Sequence, residues 1–193
     1  MQQIIVISGA MVYLLANFQY ILATIKGRLK PNRMSWFLWS LAPFIAVVAS
    51  LSTQFSWTQL PVFMSGMMPF LIFIGTFFSK EKYFELTRLD ILCALTAILA
   101  LVGWGLSKDA NIAIILSIVS DAIGGIPTLV NAIKHPRNES PLPFASGLVA
   151  TLSGAVAIQT FTFSEIAFPI YLVILDVTMT IVTSRKYFSK KQK

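Results

Sequence analysis

Long runs of apolar residues, separated by short polar connections, fill the chain from end to end. Seven runs come close to the roughly 20 residues with which an α-helix crosses the hydrocarbon core of a bilayer. They are 3–25, 35–53, 58–79, 90–107, 111–133, 143–161 and 166–184. Backbone groups in lipid must pair within their own segment, and these runs are too continuous for barrel strands. The pattern therefore predicts seven transmembrane helices.

Composition agrees with a membrane location. Of the 193 residues, 56% are hydrophobic and 12% are charged, whereas a soluble domain has about a quarter of its residues charged. No connection is long enough for a soluble domain, so residues 1–193 are predicted to form a single all-α transmembrane domain. The net charge of +7 does not indicate a nucleic-acid partner, because the Lys and Arg residues form short clusters between apolar runs rather than one basic face.

The basic residues predict an orientation. With seven spans, 14 of the 15 Lys and Arg residues fall on one side, and only Lys108 falls on the other. The positive-inside rule then places the C-terminus in the cytoplasm and the N-terminus outside. Since no targeting segment is apparent, we expect a multi-pass protein of a bacterial inner membrane.

Two similar halves are predicted from a shift of 108 residues. The shift aligns Lys26 with Lys134 and Trp36 with Phe144, each in or after a basic connection that contains proline. Both halves then share the order of helix, basic connection, helix, uncharged turn and helix. We predict two parallel three-helix repeats about an axis along the membrane normal. Repeat one covers about 1–79, a linker helix covers 90–107, and repeat two covers about 111–186.

This 3+1+3 arrangement resembles the SWEET and PQ-loop transporter superfamily. The most similar stretch is PTLVNAIKHPRNESPLPFASGL, with a proline in the fifth helix, a basic connection containing Ser, and Pro-Phe opening the sixth helix. Pro169 and Tyr187 are also spaced much as in that family. The chain has no Pro-Gln dipeptide, and Ile170 stands where many SWEET proteins have a sugar-contacting Asn. The resemblance implies a seven-helix fold and transport of a small solute.

Asp121 and Asp176 are the most informative single residues. Each lies ten residues into its predicted helix, near the bilayer midplane. A carboxylate at that depth costs roughly 2.5 kcal/mol or more if it faces lipid, so both are expected to face the interior of the bundle. Neither helix offers a Lys or Arg at the same depth, and removal from water favours the neutral carboxyl. Both residues are candidates to bind substrate or carry a proton, although a protonated Asp joining two helices is the structural alternative.

Polar residues of the first helix are further candidates. Asn17 and Gln19 would contact substrate, or else hydrogen-bond a neighbouring helix for about 1 kcal/mol or less. Tyr13 is the counterpart of Asp121 under the shift of 108 and joins the same predicted site.

Gly124, Gly125 and Pro127 interrupt the fifth helix just beyond Asp121. Proline removes a backbone hydrogen bond and paired glycines allow bending, so these residues and Pro143 are predicted to form a hinge or gate. A packing kink in a rigid protein explains them equally well. Trp36, Trp39, Trp57 and Tyr187 lie near predicted membrane boundaries, where an aromatic belt is expected.

We therefore expect a SWEET-like transporter or facilitator that works by alternating access, with or without a coupled proton. Its partners would be a small solute and the lipid bilayer. An oligomer is allowed but not required, because one chain contains both halves of the pathway. A membrane receptor or scaffold on the same fold is the alternative. No motif of catalysis, cofactor binding or metal binding is present in the sequence, so no enzyme, cofactor or metal is predicted, and an intramembrane aspartyl enzyme is a distant third possibility.

Overall fold

A computed structural model gives the chain as a bundle of α-helices. It describes all residues except 51–58, 81–85, 107–109, 159–160, 162 and 189–193. The described residues contain seven α-helices: α1 Gln2–Ile25, α2 Arg33–Ser50, α3 Gln59–Phe77, α4 Arg88–Leu106, α5 Ala110–Lys134, α6 Leu142–Ala155 and α7 Phe163–Phe188. No strand occurs among these described residues, so the predicted all-α class is confirmed.

Three helices are long and apolar enough to cross a membrane. They are α1, the segment Ile114–Lys134 of α5 and the segment Ile166–Arg185 of α7. Large apolar side chains also remain exposed on the outside of the bundle, for example Leu15, Leu99 and Ile174. Exposed apolar surface of this kind indicates contact with lipid rather than water. The predicted membrane class is supported, while the count of seven spans stays a prediction.

Helix α6 is shorter than predicted. The apolar run suggested a span over 143–161, but the helix ends at Ala155. Its last turn tightens, because the backbone N–H groups of Ala157 and Ile158 donate to carbonyls only three residues earlier, at 3.0 and 3.2 Å. A helix of 14 residues measures about 21 Å, which is less than the roughly 30 Å thickness of a hydrocarbon core. The prediction was wrong because apolar composition continues beyond the point where helical hydrogen bonding stops.

The helices pack as two groups of three. In the first group α3 contacts α1 and α2, and in the second group α7 contacts α5 and α6. The groups meet mainly through two pairs of helices, α1 with α6 and α2 with α5, and α3 touches α6 at a few positions. Helix α4 lies mainly against α5 and touches α2 only slightly. The interior between the groups is therefore lined by α1 and α2 on one side and by α5 and α6 on the other.

The described parts of the connections α1–α2, α3–α4 and α5–α6 lie together at one end of the bundle, which we name the basic end after its Lys and Arg residues. Asn32 donates from Nδ2 to Oδ1 of Asp90 at 2.7 Å. Arg33 donates to both the hydroxyl and the carbonyl oxygen of Thr76, at 3.0 and 2.9 Å. Asp90 also accepts from the backbone N–H of Thr87 at 2.7 Å. Because these polar groups bond one another, the end of α3 and the start of α4 are fixed against the start of α2.

An aromatic cluster fills the bundle just inside the basic end. Tyr20, Trp36, Trp39 and Phe144 are all buried and pack against one another. The ring centroids of Trp36 and Phe144 are 5.9 Å apart in a stacked arrangement, and those of Trp36 and Trp39 are 5.1 Å apart, edge to face. Trp36 and Trp39 therefore belong to the core, and the prediction that they form an aromatic belt was wrong. Trp57 lies outside the described residues.

Candidate functional site

Asp121 lies near the middle of α5 and faces the interior, with 4% of its surface exposed. Its carboxyl Oδ2 accepts a hydrogen bond from the hydroxyl of Tyr171 in α7 at 2.7 Å. Its backbone carbonyl accepts from the indole Nε1 of Trp39 in α2 at 3.1 Å. One residue earlier, the hydroxyl of Ser120 donates to the carbonyl of Ala97 in α4 at 3.0 Å. Three helices thus fix this turn of α5.

Asp176 lies near the middle of α7 and is also buried. Its carboxyl group lies against Gly147 of α6, where a Cβ atom would come within 2.7 Å of Oδ2 and 3.0 Å of Oδ1. Any larger residue at position 147 would occupy the space of the carboxyl. The glycine therefore gives the Asp176 carboxyl its place between α6 and α7.

The two carboxyl groups belong to one site. Asp121 and Asp176 are close enough for their charges to interact. The hydroxyl groups of Tyr13 and Tyr171 each lie within electrostatic reach of both carboxyls. We name these four residues the two-aspartate site. It is built from α1 of the first group and from α5 and α7 of the second, so it lies between the groups.

Asn17 lies one helical turn from Tyr13 on the same buried side of α1. Its Nδ2 donates to the backbone carbonyl of Tyr13 at 2.8 Å. Its Oδ1 is buried and has no hydrogen-bond partner among the described residues. A buried acceptor without a partner costs about 1–3 kcal/mol. Asn17 therefore offers an unused acceptor to any ligand that enters between the groups.

Gln19 is not brought together with these residues. It lies on the exposed side of α1, beside Phe18 and one turn from Leu15. The buried face of α1 contains Tyr13, Asn17 and Tyr20 instead.

The glycines after Asp121 lie at the contact between α5 and α2. A Cβ atom on Gly124 would come within 2.9 Å of Cβ of Leu38, and one on Gly125 within 3.0 Å of Cζ2 of Trp39. Their small size lets α2 approach closely enough for Trp39 to bond the Asp121 carbonyl. Helix α5 continues through Pro127 to Lys134. These glycines therefore have a packing role, and their predicted role as a hinge stays a prediction.

Pro143 occupies the second position of α6. A proline there removes no helical hydrogen bond, because the first backbone N–H groups of a helix have no partner within it. Its ring is buried in the first turn of the helix, next to the buried Phe144. Its predicted role in a gate also stays a prediction.

Tyr171 and Trp39 were missed as site residues by sequence reasoning. Neither lies near Asp121 in sequence, since Trp39 is 82 residues and Tyr171 is 50 residues away. Their places follow from the rotation of α2 and α7 about their axes, which apolar periodicity defines poorly when helices are apolar on every side. The sequence held one weak indication of the contact with Trp39. Gly125 leaves room for a large side chain beside α5, and a buried indole N–H needs a hydrogen-bond acceptor.

The indole of Trp39 is expected to fix α2 against the site. We predict that Trp39→Phe lowers the free energy of unfolding by about 1 kcal/mol through loss of the hydrogen bond to the Asp121 carbonyl. Thermal unfolding of the purified protein in detergent measures the change. Phe37→Leu removes aromatic area from the same helix where it packs on Phe73 of α3, and it serves as a control for general loss of packing. An unchanged unfolding temperature in Trp39→Phe would contradict the contact.

The site can hold a proton or a positively charged group. Two carboxylates in an interior of low dielectric repel each other when both are charged, and a proton or a cation between them would relieve that repulsion. The segments 111–133 and 166–184 contain no Lys, Arg or His that would neutralise the acids from their own helices. Within the described part of the chain, no group of three or more His, Cys, Asp or Glu side chains is placed to hold a metal ion.

Comparison of the chain with protein-family models, with curated proteins and with solved structures finds no match.

Proposed function

We propose that this protein is a small-solute transporter of SWEET-like type that works by alternating access. The observation that carries the proposal is the two-aspartate site, in which two buried acids from the middle of membrane-spanning helices lie between two helix groups, together with the buried Tyr13 and the half-buried Tyr171. Intramembrane acids are rare and mark substrate, ion or proton pathways. A transporter built from repeats binds its substrate near the midplane, at the interface between the repeats.

The packing of the helices supports the proposed parallel repeats. Exchange of α1, α2 and α3 for α5, α6 and α7 turns the contact of α1 with α6 into that of α5 with α2, and both contacts are present. Two pairs of residues related by the shift of 108 also touch each other. The backbone N–H of Lys30 donates to the carbonyl of Asn138 at 2.8 Å, and Trp36 stacks on Phe144. Contact between equivalent residues is expected where a twofold axis passes between them.

In this proposal the solute binds between Tyr13 and Asn17 of α1 and the two acids of α5 and α7. Rocking of the two groups exposes it to either side in turn. The N-terminus lies outside the inner membrane, and the basic end faces the cytoplasm, in agreement with the clusters of Lys and Arg there. A proton on Asp121 or Asp176 provides coupling to the proton gradient.

Binding is tested first, by thermal unfolding of the purified protein with sugars, amino acids, vitamins and nucleosides at acidic and neutral pH. A solute present at 100 times its Kd stabilises the fold by about 2.7 kcal/mol. Each stabilising solute is then tested for uptake into proteoliposomes, with empty liposomes as the control. We expect saturable uptake that changes with an imposed pH gradient. Binding without uptake would favour a receptor, and a panel without any stabilising solute would contradict transport of small solutes.

A further inference from the structure

A second polar site lies at the basic end, where Glu139 of the α5–α6 connection is fully buried. Its Oε2 accepts a hydrogen bond from the hydroxyl of Tyr20 in α1 at 2.6 Å. Its Oε1 accepts from Nδ2 of Asn131 in α5 at 3.4 Å. A short hydrogen bond from a phenol hydroxyl to a buried carboxylate is stronger than one between two neutral groups. This bond joins the second helix group to the first.

Two further hydrogen bonds join the groups at the same place. The backbone N–H of Lys30 donates to the carbonyl of Asn138, and Nδ2 of Asn131 donates to the carbonyl of Lys30 at 3.4 Å. Lys30 belongs to the α1–α2 connection, whereas Asn131 and Asn138 belong to the end of α5 and the connection after it. We name the set Tyr20, Lys30, Asn131, Asn138 and Glu139 the clasp.

The clasp lies over the aromatic cluster, and the cluster lies between the clasp and the two-aspartate site. Tyr20 belongs to both, since its hydroxyl bonds Glu139 while its ring packs on Trp36 at a centroid distance of 5.3 Å. Trp39 belongs to the aromatic cluster and donates a hydrogen bond to the site itself, at the carbonyl of Asp121. A solute leaving the site toward the basic end would have to pass between these rings, which requires the two groups to separate there.

The closed arrangement also leaves polar groups unused. The Trp36 indole Nε1 and the hydroxyls of Thr24 and Thr128 are buried and have no hydrogen-bond partner among the described residues. These three groups would gain water if the basic end opened. A buried polar group without a partner costs about 1–3 kcal/mol, so these three groups favour separation of the two helix groups at the basic end, whereas the clasp opposes it.

We propose that the clasp is a gate at the basic end, and that the hydrogen bond from Tyr20 to Glu139 holds it closed. The inference extends the proposed function by assigning a conformational role to residues outside the solute site. Opening breaks the Tyr20–Glu139 and Lys30–Asn138 hydrogen bonds, separates Trp36 from Phe144, and lets water reach Thr128.

The test measures how readily a reagent reaches the interior from the basic end. Cys93 is the only cysteine of the chain, so Cys93→Ser gives a background without thiols, and Thr128→Cys places one reporter below the clasp. The labelling rate with a membrane-impermeant maleimide is measured on each face of vesicles that contain the protein. In this background, Tyr20→Phe removes only the hydroxyl that bonds Glu139. We expect labelling to accelerate about tenfold from one face alone, since a hydrogen bond to a charged group is lost.

Thr76→Val is the matched control. It removes a hydroxyl at the same end of the bundle that accepts a hydrogen bond from Arg33, but both of these residues belong to the first group. We expect the labelling rate to stay unchanged in Thr76→Val. Glu139→Gln weakens the same hydrogen bond from the side of the acceptor. When it is combined with Tyr20→Phe, the effects of the two substitutions on the labelling rate should not add, because both act on one bond.

Two results would overturn the gate. One is an unchanged labelling rate in Tyr20→Phe and Glu139→Gln when both proteins unfold as cooperatively as the parent. The other is an equal acceleration in Thr76→Val, which would indicate general loosening of that end. Because labelling needs no substrate, the gate and the transport function are tested separately. Faster labelling without uptake of any solute would support the gate and contradict transport. Uptake of a solute without any change in labelling would support transport and contradict the gate.

Discussion

Asp121→Asn is expected to remove the pH dependence of solute uptake and to lower uptake by about tenfold to a hundredfold. Asparagine has nearly the size of aspartate and can still accept the hydrogen bond of Tyr171, so the fold should be retained. It cannot take up or release a proton, and it offers a neutral oxygen where the carboxylate would bind a cationic or hydrogen-bonding solute. Loss of a hydrogen bond to a charged group accounts for a change of this size.

The measurement is initial uptake into proteoliposomes with and without an imposed pH gradient. Asp90→Asn is the matched control, because Asp90 is a buried acid of the basic end that bonds Asn32 and the start of α4 rather than the site. Asp90→Asn should lower stability but leave the response to pH unchanged. A response to pH in Asp121→Asn that equals that of the parent protein would show that the proton is carried elsewhere.

Gly147→Ala is expected to weaken solute binding about tenfold and to lower the free energy of unfolding by about 1–3 kcal/mol. The added methyl group would lie 2.7 Å from Oδ2 of Asp176, which is closer than van der Waals contact allows. Either the carboxyl must move out of the site or α6 must move away from α7, and insertion of one carbon into a packed interior has a cost of this size.

Gly105→Ala provides the comparison. A Cβ atom at position 105 in α4 would meet no atom of the described residues within 4 Å, and alanine favours a helix over glycine by up to about 1 kcal/mol. The two substitutions are chemically identical, yet we expect opposite signs for the change in stability. Thermal unfolding and solute-dependent stabilisation of both proteins measure the difference. If Gly147→Ala were as well tolerated as Gly105→Ala, Asp176 would not lie against α6.

The positions of the helices could be predicted from the sequence, because a long apolar run has few alternatives to a helix. At the start of α4, Thr87 and Asp90 form a capping box, which the apolar run at 90–107 did not reveal. In the structure Asp90 accepts from the Thr87 N–H, and the Asp90 N–H donates to the Thr87 hydroxyl at 3.2 Å. The end of α6 was less predictable, because the apolar residues continue through its last turn.

The interior places of Asp121 and Asp176 could also be predicted, since the cost of a charge in lipid leaves little choice. Their partners could not. Which side of α7 brings Tyr171 to Asp121 depends on helix rotations that are set by packing across the whole bundle. Glu139 was missed for a different reason. Acids in a basic connection are expected to be solvated, and only the position of the Tyr20 hydroxyl reveals that this one is buried.

The place of α4 has a consequence for how the chain can be divided. Helix α4 is attached to α5 by packing and by the Ser120 hydrogen bond, and it contacts the first group only at a few positions on α2 and through the hydrogen bond of Asn32 with Asp90. The natural division of the chain therefore falls between α3 and α4 and leaves fragments of three and four helices. Both acids of the two-aspartate site would lie in the larger fragment, whereas Tyr13 and Asn17 would lie in the smaller. Neither fragment alone contains a complete site, so co-expression of the two from separate genes would make solute binding a direct readout of their assembly.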